Sequence, residues 1–138
     1  MPDTFQLEIV TPEKKVVDVA ATEAQIPGKN GYLGVLPGHA PLITELAVGE
    51  ITYRAGAEEQ RLAVAWGFAE VLPDRVTILA NDALAPSQID VERARQQLNH
   101  GQELWNQAGD SEEKYTEAER VINEAEAKLA SVGSAQNN

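Results

Sequence analysis

The sequence has 138 residues, 43% of them hydrophobic, which suits one ordinary domain or a compact domain with an appendage and argues against global disorder. Its 22 acidic and 11 basic residues leave a formal charge of −11, so the surface repels phosphate backbones and anionic lipid, and neither nucleic acid nor direct lipid insertion is expected. The absence of cysteine excludes disulfides, thiolate zinc sites and a cysteine nucleophile, and the two histidines, His39 and His100, stand too far apart in sequence to suggest a metal site.

In chain order, residues up to about Leu84 read as strands. Phe5, Leu7 and Ile9 alternate with Gln6 and Glu8, the period of a half-buried strand. This opening stretch has no long apolar run, so no targeting peptide or membrane span is expected and a cytosol-like compartment is. The same alternation recurs at Val17–Val19, Ile51–Tyr53, Leu62–Val64 and Val76–Ile78. Turn signals at Thr11-Pro12, Pro27-Gly28, Pro37-Gly38, Ala55-Gly56 and Pro73-Asp74 separate these runs, and Asn81-Asp82 is expected to end the last. Short strands at close spacing predict an antiparallel sandwich or barrel. Glu58-Glu59 fall at a predicted turn and read as solvated charges rather than as an acid/base pair.

From Ser87 the pattern becomes helical. Ser87 and Asp90 resemble a capping box, and Val91, Ala94, Leu98, Gly101, Trp105 and Ala108 follow at helical spacing. Gly109-Asp110 breaks the run. Asp110 with Glu113 opens a second helix whose stripe is Tyr115, Ala118, Ile122, Ala125, Leu129 and Val132, with Gly133 as a stop and a frayed polar tail beyond it. The predicted fold is therefore mainly a β sandwich, residues 1–85, followed by a two-helix antiparallel hairpin, residues 86–138. The Ala-rich seam between the helices buries little and leaves open two readings, a detachable arm or a permanently packed appendage.

The stretch from Pro27 to Pro41 holds four glycines and three prolines in fifteen residues, which predicts a shaped loop system rather than a plain hairpin. Its Gly28-Lys29 lacks the upstream glycine, the following Ser or Thr and the helix of a phosphate loop. The order Pro-Gly, Gly-x-x-Gly and Pro-x-His-Ala-Pro closely resembles the signature of the epsilon subunits of F-type ATP synthases. Trp66-Gly67-Phe68-Ala69-Glu70-Val71 resembles that family's Gly-Gly-Phe-x-Glu-Val run, with Trp66 in place of the first glycine. Ile89-Asp90-Val91-Glu92-Arg93-Ala94 matches its Ile/Leu-Asp-x-x-Arg-Ala motif, and the resemblance covers nearly the whole chain.

That resemblance implies a non-catalytic rotor subunit in the central stalk of a proton- or sodium-translocating ATP synthase. Its partners would be the gamma subunit, the ring of c subunits and, with the helices extended, the catalytic head, where the arm inhibits ATP hydrolysis in many bacteria. Its place would be peripheral, on the cytoplasmic face of a bacterial inner membrane or the stromal face of a thylakoid. By resemblance, Thr11, His39 and Thr44 face gamma, and Gly28, Lys29, Asn30, Gly31 and Tyr32 face the c ring; Tyr32 stands where family members often carry a glutamate. Ile89, Asp90, Arg93 and Ala94 are the nucleotide-binding candidates, an arginine being able to fork onto a phosphate. Nucleotide-binding relatives carry further arginines where this chain has His100, Glu117, Glu124 and Lys128, and the second helix is acidic. No cofactor is expected, and ATP enters as a weak regulatory ligand at most. The alternative function is a free-standing ATP-sensing regulatory protein using the same Asp90 and Arg93.

Overall fold

The computed structural model describes residues 3–136 and divides the chain into two compact units, one ending at Ala85 and one beginning at Pro86. The first is a β sandwich of eight strands: β1 (Phe5–Val10), β2 (Lys15–Ala21), β3 (Glu23–Gly28), β4 (Gly31–Val35), β5 (Leu42–Leu46), β6 (Gly49–Ala55), β7 (Glu58–Val71) and β8 (Arg75–Leu84). The strand order is β2-β1-β8-β7-β5-β3-β4, and β6 pairs with both β3 and β7. Alternation places Phe5, Leu7 and Ile9 inside with Ile26, Ile51, Val71 and Ile78, all nearly or completely buried.

The architecture turns on β7. Its first half, Glu58 to Val64, pairs with β6, and its second half, Gly67 to Val71, pairs with β5. Between them Trp66 and Gly67 take positive φ values of 55° and 132°. A strand that changes partner sheets must bend at the corner, and this left-handed step is where it bends. An added Cβ on Gly67 would lie 1.8 Å from the carbonyl oxygen of Leu79 on β8, so only glycine fits.

The sandwich departs from the sequence reading in four respects. β1 and β8 pair in parallel, because alternation reports which face a residue takes and not which way the strand runs. β8 continues through Asn81-Asp82 to Leu84, since the long β7 offers Ala65, Val64 and Ala63 as partners for Asp82, Ala83 and Leu84. Pro27-Gly28 is not a turn but the buried end of β3. The turn falls on Lys29-Asn30, so Pro27 to Val35 form a plain hairpin with Gly28 opposite Gly31. Glu58 and Glu59 open β7 instead of sitting in the turn, and Glu59 pairs with Arg54 at 3.7 Å.

The second unit holds a 3-10 turn (Pro86–Gln88), α1 (Val91–Asn106) and α2 (Glu112–Gln136). Ser87 belongs to the 3-10 turn and caps nothing in α1. Asp90 is the N-cap, its carboxylate accepting from the Arg93 amide at 3.1 Å. α2 is capped one residue later than expected, by Ser111, whose hydroxyl accepts from the Lys114 amide at 3.2 Å. Gly109, at φ 59°, supplies the break between the helices. Gly133 does not stop α2, which runs on to Gln136; Asn137 and Asn138, the end of the expected frayed tail, lie outside the described residues.

The helices are antiparallel. Gln97 reaches the Val121 carbonyl and Glu124, an added Cβ on Gly101 would meet Ile122 at 2.7 Å, and Trp105 meets Tyr115 edge-on with centroids 4.7 Å apart. The buried seam is built from small residues: Ala94, Gly101, Ala108, Ala118, Ala125 and Ser131. Leu98, Ile122 and Leu129 are only half-buried, and Trp105, expected in the seam, is 45% exposed.

Candidate functional site

The outer face of the β5–β7–β8 sheet is the most unusual surface of the first unit. Cross-strand pairing sets Glu45, Phe68, Leu79 and Val10 in one row and Ile43, Glu70, Thr77 and Glu8 in the next. Ile43 is 70% exposed, and Phe68 and Leu79 are each 54% exposed. Beside them opens a groove of about 620 Å³, lined by Thr11, Leu46, Trp66, Phe68 and Leu79 among others. The other side of this sheet is already buried in the core, so these apolar side chains stand in solvent with no layer over them, interleaved with Glu45 and Glu70. Sequence reasoning missed Ile43, Phe68 and Leu79. The available signal was unbroken apolar runs, Leu42-Ile43 and Ile78-Leu79-Ala80, which place apolar side chains on both faces of a strand.

The gamma-facing candidates are not gathered into one cluster. Thr11 lies in the β1–β2 connection, where its hydroxyl and the Lys14 backbone hold the turn, and it edges the groove. Thr44 is on β5 but on the side opposite Ile43 and Glu45, beside Gly28. His39 stands between β4 and β5 with Nδ1 2.7 Å from the Ala40 carbonyl. That segment is tied down by the Gly38 amide, which donates to the Pro73 carbonyl at 2.8 Å.

Gly28 to Tyr32 do come together, as the tip of the β3–β4 hairpin. The tip is fixed to β5 by the Lys29 amide, which donates to the Glu45 carbonyl at 3.0 Å, and by the Lys29–Glu45 ion pair at 3.1 Å. Tyr32 is anchored through its hydroxyl. Its hydroxyl accepts from the Glu50 amide at 3.1 Å, while the residue as a whole remains 61% exposed, so the tip offers an aromatic surface. Gly49 makes this possible, since a Cβ there would lie 2.8 Å from the Tyr32 hydroxyl oxygen.

In the second unit, Ile89 and Ala94 are buried, Asp90 is engaged as the α1 cap, and Arg93 is exposed. His100 and Glu117 are exposed. Glu124 and Lys128 are held instead at the helix interface, where Gln97 donates to Glu124 at 3.4 Å and accepts from Lys128 at 3.3 Å. Arg120 also pairs with Glu124, at 3.4 Å. Among the described residues no group of three or more His, Cys, Asp or Glu is placed to hold a metal ion.

A β sandwich followed by two antiparallel helices is the architecture of delta and epsilon chains of ATP synthases, and residues 4–86 match the model of that family's β-sandwich domain. Among curated relatives, the chain is 59% identical over 109 residues to the ATP synthase epsilon chain of Koribacter versatilis, covering 79% of this chain and 77% of that one. It is 41% identical over 129 residues to that of Syntrophobacter fumaroxidans, covering 94% and 96%. The chain belongs to the ATP synthase epsilon chain family. Its fold is also that of a chain in the Euglena gracilis mitochondrial ATP synthase, with a TM-score of 0.83 at 22% identity, covering 96% of this chain and 83% of that one.

Proposed function

We propose that this chain is a non-catalytic rotor subunit of the central stalk, in which the β sandwich grips the gamma subunit and rests on the c ring. The observation that carries the reading is the exposed apolar face of Ile43, Phe68 and Leu79 with its adjoining groove, on a chain of the epsilon family. Gamma covers this face, with Thr11 at its edge. The hairpin tip, Gly28 to Tyr32, meets the c ring through the Tyr32 ring and the Lys29–Glu45 pair. The chain is peripheral to the membrane; no helix among the described residues is long and apolar enough to cross one. The c ring carries protons or sodium ions, and the chain itself handles neither.

The two helices form a regulatory arm that acts on the catalytic head. ATP is a weak ligand of this arm: Asp90 is committed to the cap, Ile89 and Ala94 are buried, and Glu124 and Lys128 are held in the interface. The test is co-purification of the full chain with its cognate gamma subunit and c ring. The folded chain is expected to retain both, and the reading fails if it retains neither.

A further inference from the structure

Three carboxylates, Glu8, Glu45 and Glu70, project from the apolar face of the sandwich. Two are neutralised within the chain. Glu8 binds Arg75 at 2.7 Å and Lys15 at 3.6 Å, and Glu45 binds Lys29 at 3.1 Å. Glu70 is different: among the described residues it has no ion pair and no hydrogen bond to another side chain. It stands exposed between Ile43 on β5 and Thr77 on β8, one row from Phe68 and Leu79.

In water this carboxylate is solvated at no cost. Under a partner that covers Ile43, Phe68 and Leu79 it would lose that water, and an unpaired charge in a dehydrated interface is strongly disfavoured. A partner that fits the face must therefore bring its own cation to this point. The other two acids need none, since each already has one.

We propose that Glu70 is the specificity-determining residue of this surface. It accepts a lysine or arginine of the gamma subunit, set beside an apolar ridge that covers Ile43, Phe68 and Leu79. This rests on the reading that gamma docks on the apolar face. It adds which residue selects the partner and what chemistry the partner presents there. A surface of equal apolar area with a neutral or acidic residue over Glu70 is rejected, because it leaves the carboxylate dry and unpaired.

The experiment titrates the full chain against its cognate gamma subunit at low and high salt, with Glu70→Gln, Glu70→Lys, Phe68→Ser and, as a remote control, Glu58→Gln. Far-ultraviolet dichroism and the thermal midpoint establish that each variant is folded. Glu70→Gln is expected to weaken binding at least about tenfold at low salt and to flatten the salt dependence, and Glu70→Lys to weaken it about a hundredfold. Glu58→Gln is expected to bind as the natural chain does. A lysine- or arginine-to-glutamate change in gamma that restores the binding of Glu70→Lys identifies the opposing residue.

If Glu70→Gln keeps both the affinity and the salt dependence while Phe68→Ser loses binding, gamma docks on this face without using Glu70, and the inference is overturned while the docking reading stands. If folded Phe68→Ser also binds unchanged, gamma docks elsewhere and both are overturned.

Discussion

At the scale of single residues, the sandwich depends on a few positions where backbone geometry leaves one choice. Gly67 is the strictest, since any side chain there collides with the Leu79 carbonyl and also meets a φ of 132°. Gly67→Ala should destabilise the chain by about 3 kcal/mol or more, as expected when strain and overlap coincide. Denaturant unfolding measures this, and an unchanged midpoint would contradict the corner geometry. Its neighbour Trp66 adopts φ 55°, which costs a non-glycine residue about 1 kcal/mol, and its side chain lines the groove. Asp18 gives a pH signature. The hydrogen bond from the Gln6 amide, aided by Lys15, holds its carboxyl below the ordinary value of 3.8 despite some desolvation in the opposite sense. A lowered folded-state value means the contribution is complete above the unfolded value and fades as pH falls through the folded one. An NMR titration should show Asp18 moving back up in Gln6→Ala; a titration that does not move would remove Gln6 as the cause.

At the scale of elements, the helical pair is joined by a seam of small side chains that buries few methylenes. Its stability therefore rests on a handful of larger, half-buried groups. Leu129→Ala should cost about 1–2 kcal/mol, below the 2–5 of a fully buried site. Ser131 is fully buried and its hydroxyl has no hydrogen-bond partner among the described residues, so Ser131→Ala should be neutral or stabilising by about 1 kcal/mol. Amide exchange within α1 and α2 reads both; slower exchange in Leu129→Ala or faster exchange in Ser131→Ala would contradict this account of the seam. On the proposed function these helices bind ATP only weakly. Millimolar ATP should shift the thermal midpoint hardly at all, because a ligand stabilises only well above its dissociation constant. A micromolar constant lost in Arg93→Ala would overturn that expectation.

The elements also show where sequence was informative. The alternation around Phe5, Ile51 and Val76 placed their side chains inside, because one buried face imposes a period of two. Strand direction, the reach of β8 and the corner at Trp66 depended on partners distant in sequence. Helix periodicity was legible while the ends were less so, since Asp90, Ser111 and Gly133 were each one of several residues able to cap or stop a helix. Gly28 to Tyr32 were singled out through the glycine-rich stretch, but as part of a shaped loop system, and the plain hairpin they form depended on the β3–β4 pairing. The exposed apolar face was not legible, because Phe68 and Leu79 look like core residues until the pairing shows which side they take.

At the scale of the whole molecule, the chain divides at Ala85 into two compact units. The sandwich has its own contiguous core, from Phe5 to Ala83, together with the apolar face and the hairpin tip. The helical unit is the proposed regulatory arm. If the rotor grip resides in the sandwich, the arm contributes nothing to it. The most direct measurement compares the full chain with a chain ending at Ala85 in titrations against the cognate gamma subunit, after confirming that the shorter chain is folded. The account predicts dissociation constants equal within about threefold, a difference of about 0.7 kcal/mol or less. A folded shorter chain that fails to bind gamma would contradict it.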